Sequence, residues 1–148
     1  MNPVVMTGVS SGIGWGTAKV LIGRGVRVLG SVRKQADADR LQAEFGDLFT
    51  PLIFDVTDEE AVRRAASQVR DALGGQTLGG LVNNAGASIT APLSEQPIPD
   101  FRRQLDINLV GPLIVTQAFL PQLGTDRSLC GGPGRIVNIS SIGAKLTP

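Results

Sequence analysis

The densest group of residues able to do chemistry is Thr7-Gly8-Val9-Ser10-Ser11-Gly12-Ile13-Gly14, a glycine-rich turn between an apolar run at residues 3–6 and a helical pattern. Such a turn suits a phosphate. A strand ending in Gly8 can turn sharply, Gly12 lacks the Cβ that would hold a ligand off the backbone, and Gly14 lets the following helix lie close to the strand. The free N–H groups of the helix's first turn, with the helix dipole behind them, favour an anion there. The spacing Gly-x-x-x-Gly-x-Gly differs from the commoner Gly-x-Gly-x-x-Gly, and a tight turn without a ligand uses the same residues. Further polar groups stand at the ends of apolar runs: Arg33, Asp55, the pair Asn83 and Asn84, and Ser140-Ser141.

Two absences narrow the chemistry. The sequence has no histidine, which removes a Ser-His-Asp triad, a Cys-His dyad and His-ligated zinc from these residues, and no metal site is expected. It also has no tyrosine, so no phenolic acid or base acts from within the 148 residues. Cys130 is the single cysteine and forms no intrachain disulfide.

With 42% hydrophobic residues the chain can bury one core, and one domain spanning residues 1–148 is the expectation. A net charge of +1 without a Lys/Arg cluster argues against nucleic acid and membrane surfaces as partners. No apolar run approaches the roughly 18 residues that a membrane span needs. No charged-then-apolar leader precedes the first strand, so a cytoplasmic location is expected.

The elements that must position these groups alternate between strand and helix. Ile13, Thr17, Ala18, Leu21 and Ile22 recur at helical spacing, with Gly25 as a left-handed stop. Gly16 inside this helix costs about 1 kcal/mol relative to alanine, which points to close packing or approach to a ligand. Trp15 fills a groove between elements or lines the entrance to the site. Residues 26–32 form a second strand; a helix carrying Leu41 and Phe45 follows and ends at Gly46; residues 49–54 form a third strand. Thr57-Asp58-Glu59-Glu60 reads as a capping box for a helix whose apolar face is Val62, Ala65, Ala66, Val69 and Leu73. After Gly74-Gly75 come a short strand at 80–82, a loop holding Pro92, Pro97 and Pro99, a long helix over about 100–123 kinked at Pro112, a loop at 125–134, and a fifth strand at 135–139. Alternation of this kind predicts a doubly wound α/β fold on a parallel sheet of five strands.

In combination these motifs resemble the short-chain dehydrogenase/reductase family over essentially all 148 residues. Thr7-Gly8-x-x-x-Gly12-Ile13-Gly14 is similar to its cofactor turn, Asp55-Val56 to its adenine contact and Asn83-Asn84-Ala85-Gly86 to its fourth-strand motif. Asn108 in Asp106-Ile107-Asn108-Leu109 matches the helix asparagine of its catalytic tetrad. Residues 135–141, Arg-Ile-Val-Asn-Ile-Ser-Ser, match its fifth strand and catalytic serine. The resemblance implies a Rossmann-type fold and reversible hydride transfer between a nicotinamide and an alcohol or carbonyl carbon of a small molecule. It further implies a homo-oligomer. Gly8, Ser10, Ser11, Gly12, Ile13, Gly14, Arg33, Asp55, Val56, Asn83, Ala85 and Gly86 are then the cofactor-binding residues, and Ser141 and Asn108 the catalytic ones. Ser141 is preferred over Ser140 because the second serine of Asn-x-Ser-Ser aligns with the family's catalytic position. Asp55 is otherwise a polar strand end, Asn83 braces strands as well as or instead of touching cofactor, and Asn108 otherwise satisfies carbonyls freed at a kink.

For cofactor choice, Val32 stands where NAD-preferring relatives carry aspartate and Arg33 where NADP-preferring ones carry arginine. A guanidinium fork suits a 2′-phosphate, with Ser31 and Lys34 as helpers. NADP is favoured; NAD stays open because Asp37 and Asp39 follow, and because Ser10-Ser11 replace the basic residue that some NADP-preferring relatives carry in the turn. The family's Tyr-x-x-x-Lys motif has no counterpart here, and Lys145, directly after the serine, reads as a solvated surface lysine. The expectation is therefore the front portion of a longer enzyme, inactive alone. A truncated fragment, or a dinucleotide-binding sensor without turnover, is the other reading.

Overall fold

The computed structural model describes residues 2–141. Strands β1 (Val4–Met6), β2 (Val28–Val32), β3 (Phe49–Ile53), β4 (Gly80–Asn83) and β5 (Arg135–Asn138) form one parallel sheet in the order β3-β2-β1-β4-β5. The chain builds outward from β1 to β3 and then crosses back to lay β4 on β1's other side. The connections leaving β1 and β4 thus diverge, and a crevice opens beyond their carboxyl ends. Helices α1 (Gly12–Gly23), α2 (Gln35–Phe45), α3 (Glu59–Ala72), α4 (Ile98–Leu105) and α5 (Gly111–Phe119) supply the crossovers.

Successive strand residues point to opposite faces, so apolar strands build two cores at once. Val5, Leu29, Leu52 and Leu81 pack with Val62, Val69, Val115 and Phe119 under α3 and α5. Met6, Val28, Val32 and Phe49 pack with Ala18 and Leu41 under α1 and α2. The doubly wound α/β fold expected from the alternation is the observed one. No helix among the described residues is long and apolar enough to cross a membrane.

The long helix departs from its expected form. It begins at Ile98, and between α4 and α5 residues 106–110 form a π-helical stretch in which Gly111 N–H bonds the carbonyl of Asp106. Pro112 is the cause: it has no N–H to give to the carbonyl of Asn108, and the wider turn relieves the ring's clash with that carbonyl. Pro121 ends the α-helix, leaving a 3₁₀ turn at Pro121–Leu123 and Gly124 at φ +109°. The capping box is also absent. Asp58, not Thr57, caps α3 by accepting from Ala61 N–H at 2.9 Å, because the Thr57 hydroxyl is committed to Asp55 at 2.8 Å. Gly16 has nothing within 4 Å of where a Cβ would stand, so neither close packing nor approach by another segment explains it.

Candidate functional site

The glycine turn is shaped by backbone crowding. Gly8 has φ +70°, and a Cβ there would lie 2.8 Å from Ala85 Cα. A Cβ on Gly14 would collide with the Gly8 carbonyl and stand 2.5 Å from Asn84 Nδ2, so α1 approaches β1 as closely as only glycine permits. Gly12, at φ +59°, has open space beside it.

Neighbouring segments hold this shape with polar groups buried at the strand ends. The hydroxyl of Thr7 accepts from the N–H groups of Asn84 (3.0 Å) and Ala85 (2.9 Å), while Asn84 Nδ2 donates to the carbonyls of Thr7 and Gly8, both at 2.9 Å. From β2, the Ser31 hydroxyl accepts from Gly8 N–H at 3.1 Å. From α2, Arg40 Nη2 donates to the Ser10 carbonyl at 2.7 Å.

Above the turn lies a cleft of about 390 Å³, placed at the point where the strand order reverses. Of the cofactor residues expected from the sequence, Gly8, Ser10, Ser11, Ile13, Gly14, Arg33, Asp55, Val56, Ala85 and Gly86 line it. The first turn of α1 opens at this cleft with no side-chain cap on Ser11 and no acidic residue. By contrast α3 carries Asp58, Glu59 and Glu60 at its start, so its dipole is already answered from within the chain. Arg33 follows β2 with no acidic residue before Asp37.

Asp55 sits at the cleft's other wall. Its Oδ1 accepts from the Thr57 N–H (3.0 Å) and hydroxyl (2.8 Å), and Oδ2 has no hydrogen bond among the described residues. Burial pushes this carboxyl up, but the two Thr57 donors and the charges of Arg33 and Arg103 outweigh it and hold the group below the usual carboxylate value. Asp55 thus stays ionised with one oxygen available to a donor such as an exocyclic amine.

Asn83 and Asn84 separate, as adjacent residues at a strand end must. Asn83 is buried and turned away from the cleft: its Nδ2 donates to Asn138 Oδ1 (2.8 Å) and Thr116 Oγ1 (3.1 Å), bracing β4 to β5 and α5. Asn83 thus braces the strands, and it is not among the residues that line the cleft. Gly12 likewise bounds the turn without lining the cleft.

Asn108 lies in the π-helical stretch, where its Oδ1 accepts from Ala87 N–H at 2.9 Å and its Nδ2 donates to the Ala87 carbonyl at 2.7 Å. One turn earlier Gln104 does the same to Ile89, at 3.0 and 2.9 Å. Ser141 lies just past β5, on the sheet's carboxyl edge, and is exposed; the ladder beyond Asn138 continues with Ile139 N–H bonding the Asn83 carbonyl at 2.9 Å. Neither Asn108 nor Ser141 lines the 390 Å³ cleft. Lys145 lies outside the described residues.

Val32 and Asn84, noted in the sequence for other reasons, also line the cleft, as do Phe54, Ala87 and Ile107, which the sequence did not single out. Asn84 left a signal, since two adjacent amides on one strand end face opposite ways and each needs partners. Ile107 could have been found as the neighbour of Asn108 on a helix whose period breaks at Pro112. Trp15 proves to be half-buried between α1 and α2, its Nε1 donating to both oxygens of Glu44 at 3.1 Å, rather than at the cleft.

Comparison with known proteins fits this geometry. A family model described as short chain dehydrogenase matches residues 2–147. The chain is 35% identical over 147 residues to an NADPH-dependent 3-dehydrocapnine reductase of Ornithobacterium rhinotracheale, covering 99% of this chain and 52% of that protein. It is 36% identical over 142 residues to a serine 3-dehydrogenase of Rhizobium radiobacter, covering 95% and 54%. Among solved structures, an NADPH-bound carbonyl reductase from chicken fatty liver superposes with a TM-score of 0.85 at 30% identity, covering 97% of this chain and 60% of that one. The chain thus spans about half the length of the curated relatives it matches. With a family match over nearly all of its residues, on a sheet of the order and cleft placement described above, the chain belongs to the short-chain dehydrogenase/reductase family.

Proposed function

We propose that this chain is the dinucleotide-binding portion of an oxidoreductase that uses NADP(H) and acts on a small alcohol or carbonyl substrate. The observation that carries the reading is Arg33 at the rim of a cleft whose floor is the glycine turn, with Val32 rather than an acid ending β2. The uncapped first turn of α1 suits the pyrophosphate, Arg33 the 2′-phosphate and Asp55 the adenine amino group. The names of one relative and one structural neighbour, both of which carry NADPH, point the same way.

When bound, the nicotinamide supplies the hydride. The chain's own groups orient the reactants: the Ser141 hydroxyl steadies the substrate oxygen, and Asn108 fixes the wall at Ala87. Phe101, Leu105, Leu109 and Leu113 recur every fourth residue from α4 through the π-helical stretch into α5 and are all exposed, which supports self-association through that face. A calorimetric titration of the protein with NADPH tests the reading. Stoichiometric binding, accompanied by amide shifts at Gly8 to Gly14 and at Ala85, is expected; no binding by folded protein overturns it.

A further inference from the structure

Ser10 carries the only carbonyl of the glycine turn that is tied to a charged side chain among the described residues, and the tie comes from 30 positions away. Arg40 reaches it from α2 with Nη2 at 2.7 Å. The guanidinium is not free to wander, because Asp37 Oδ1 lies 3.4 Å from Nη2 and Glu44 Oε2 3.7 Å from Nη1. Glu44 is in turn fixed by the indole N–H of Trp15, on α1, at 3.1 Å to each oxygen, and Lys19 Nζ lies 4.8 Å from the centre of that indole ring. A closed circuit results: turn, α2, α1, and back to the turn.

We propose that Arg40 is a positioning residue that sets the polarity of the turn at its Ser10–Ser11 peptide, with Asp37, Glu44 and Trp15 serving to aim it. A trans peptide points its C=O and the next N–H in opposite directions. Holding the Ser10 carbonyl on the α2 side therefore turns the Ser11 N–H to the opposite side. A peptide rotated the other way would present an acceptor oxygen where an anion is to be received. The two carboxylates beside Arg40 also offset its charge, so its part is orientation of the backbone and not direct attraction of phosphate. Arg33 and Arg40 then differ in kind. Arg33 selects for the 2′-phosphate, while Arg40 supports the pyrophosphate seat that both dinucleotides share.

This inference rests on the turn being the cofactor's pyrophosphate site, and the test separates the two. NADPH and NADH affinities are measured by calorimetry for the parent, Arg40→Ala, Arg40→Lys and Arg33→Ala, with thermal midpoints alongside. In parallel, amide exchange at Ser11 and Gly12 is followed in the ligand-free parent and Arg40→Ala. Arg40→Ala is expected to weaken both dinucleotides by the same factor, about tenfold as for loss of one charge-assisted hydrogen bond, leaving their ratio unchanged. Arg40→Lys, which keeps a cationic donor, recovers most of that loss. Exchange at Ser11 and Gly12 rises in Arg40→Ala while exchange in the last turn of α1 does not. Unchanged affinities and exchange in folded Arg40→Ala overturn the proposal, as does a loss confined to NADPH, which would make Arg40 a direct phosphate ligand. A parent that binds neither dinucleotide overturns the cofactor reading instead, and the exchange comparison then decides the role of Arg40 by itself.

Discussion

Asn108 spends both halves of its side-chain amide on a single residue, Ala87, accepting its N–H at 2.9 Å and donating to its carbonyl at 2.7 Å, as a neighbouring strand would. Gln104 repeats the pattern on Ile89. The match is metric: four helical residues rise about 6 Å, and two extended residues span about 6.6 Å. Two amides one turn apart can therefore read alternate residues of a segment with no strand beside it. The segment they hold begins at Gly86 and Ala87, which are walls of the cleft.

Truncating either amide leaves a backbone donor and acceptor without partners. Asn108→Ala and Gln104→Ala are each expected to destabilise the fold by about 1–2 kcal/mol. Denaturant unfolding measures this, and amide exchange at Ala87 and Ile89 respectively should accelerate. Unchanged exchange at Ala87 in Asn108→Ala would show that the loop is held by something else.

Two glycines of the same helix should respond in opposite directions. Gly14→Ala places a methyl against the Gly8 carbonyl and should cost about 1–3 kcal/mol, with displacement of the turn. Gly16→Ala meets nothing within 4 Å and should stabilise by about 0.5–1 kcal/mol through helix propensity. Thermal unfolding of the two variants checks both signs.

The pH dependence follows from two carboxylates held low. Asp55 is favoured in its charged form when folded, so its contribution is fully present above its unfolded value of about 3.9 and is lost as pH falls through the lower folded value. Thr57→Val removes one of the donors to Oδ1 and should move the Asp55 titration up toward the ordinary range, as followed by carboxyl resonances. Asp126, held by the Ser128 hydroxyl and N–H and by Arg70, should titrate at about 2.

Much of this arrangement could be read from residue types because it depends on backbone geometry. Gly8, Gly14, Gly25 and Gly46 mark places where a Cβ or a negative φ does not fit, and the stripe from Val62 to Leu73 is a local period. The π-helical stretch at 106–110 was visible only as a proline, since sequence shows that a hydrogen bond is missing but not how the chain redistributes the rest. Thr57 shows a second limit. Its hydroxyl can serve the helix or Asp55, and the choice depends on Asp58 being able to cap instead. Arg40 shows a third, because a side chain that bonds a backbone carbonyl 30 residues away leaves no periodic trace. Asn83 was ambiguous for want of knowing that β5 and Thr116 stand beside it.

Selection of the 2′-phosphorylated dinucleotide by Arg33, as proposed, is tested most directly by a calorimetric comparison of NADPH and NADH in the parent and in Arg33→Ala. The parent should prefer NADPH, and Arg33→Ala should lose about tenfold or more of NADPH affinity while NADH binding stays nearly constant, as expected for removal of a guanidinium–phosphate contact. A parent that prefers NADH, or an equal loss of both dinucleotides in Arg33→Ala, would contradict the account.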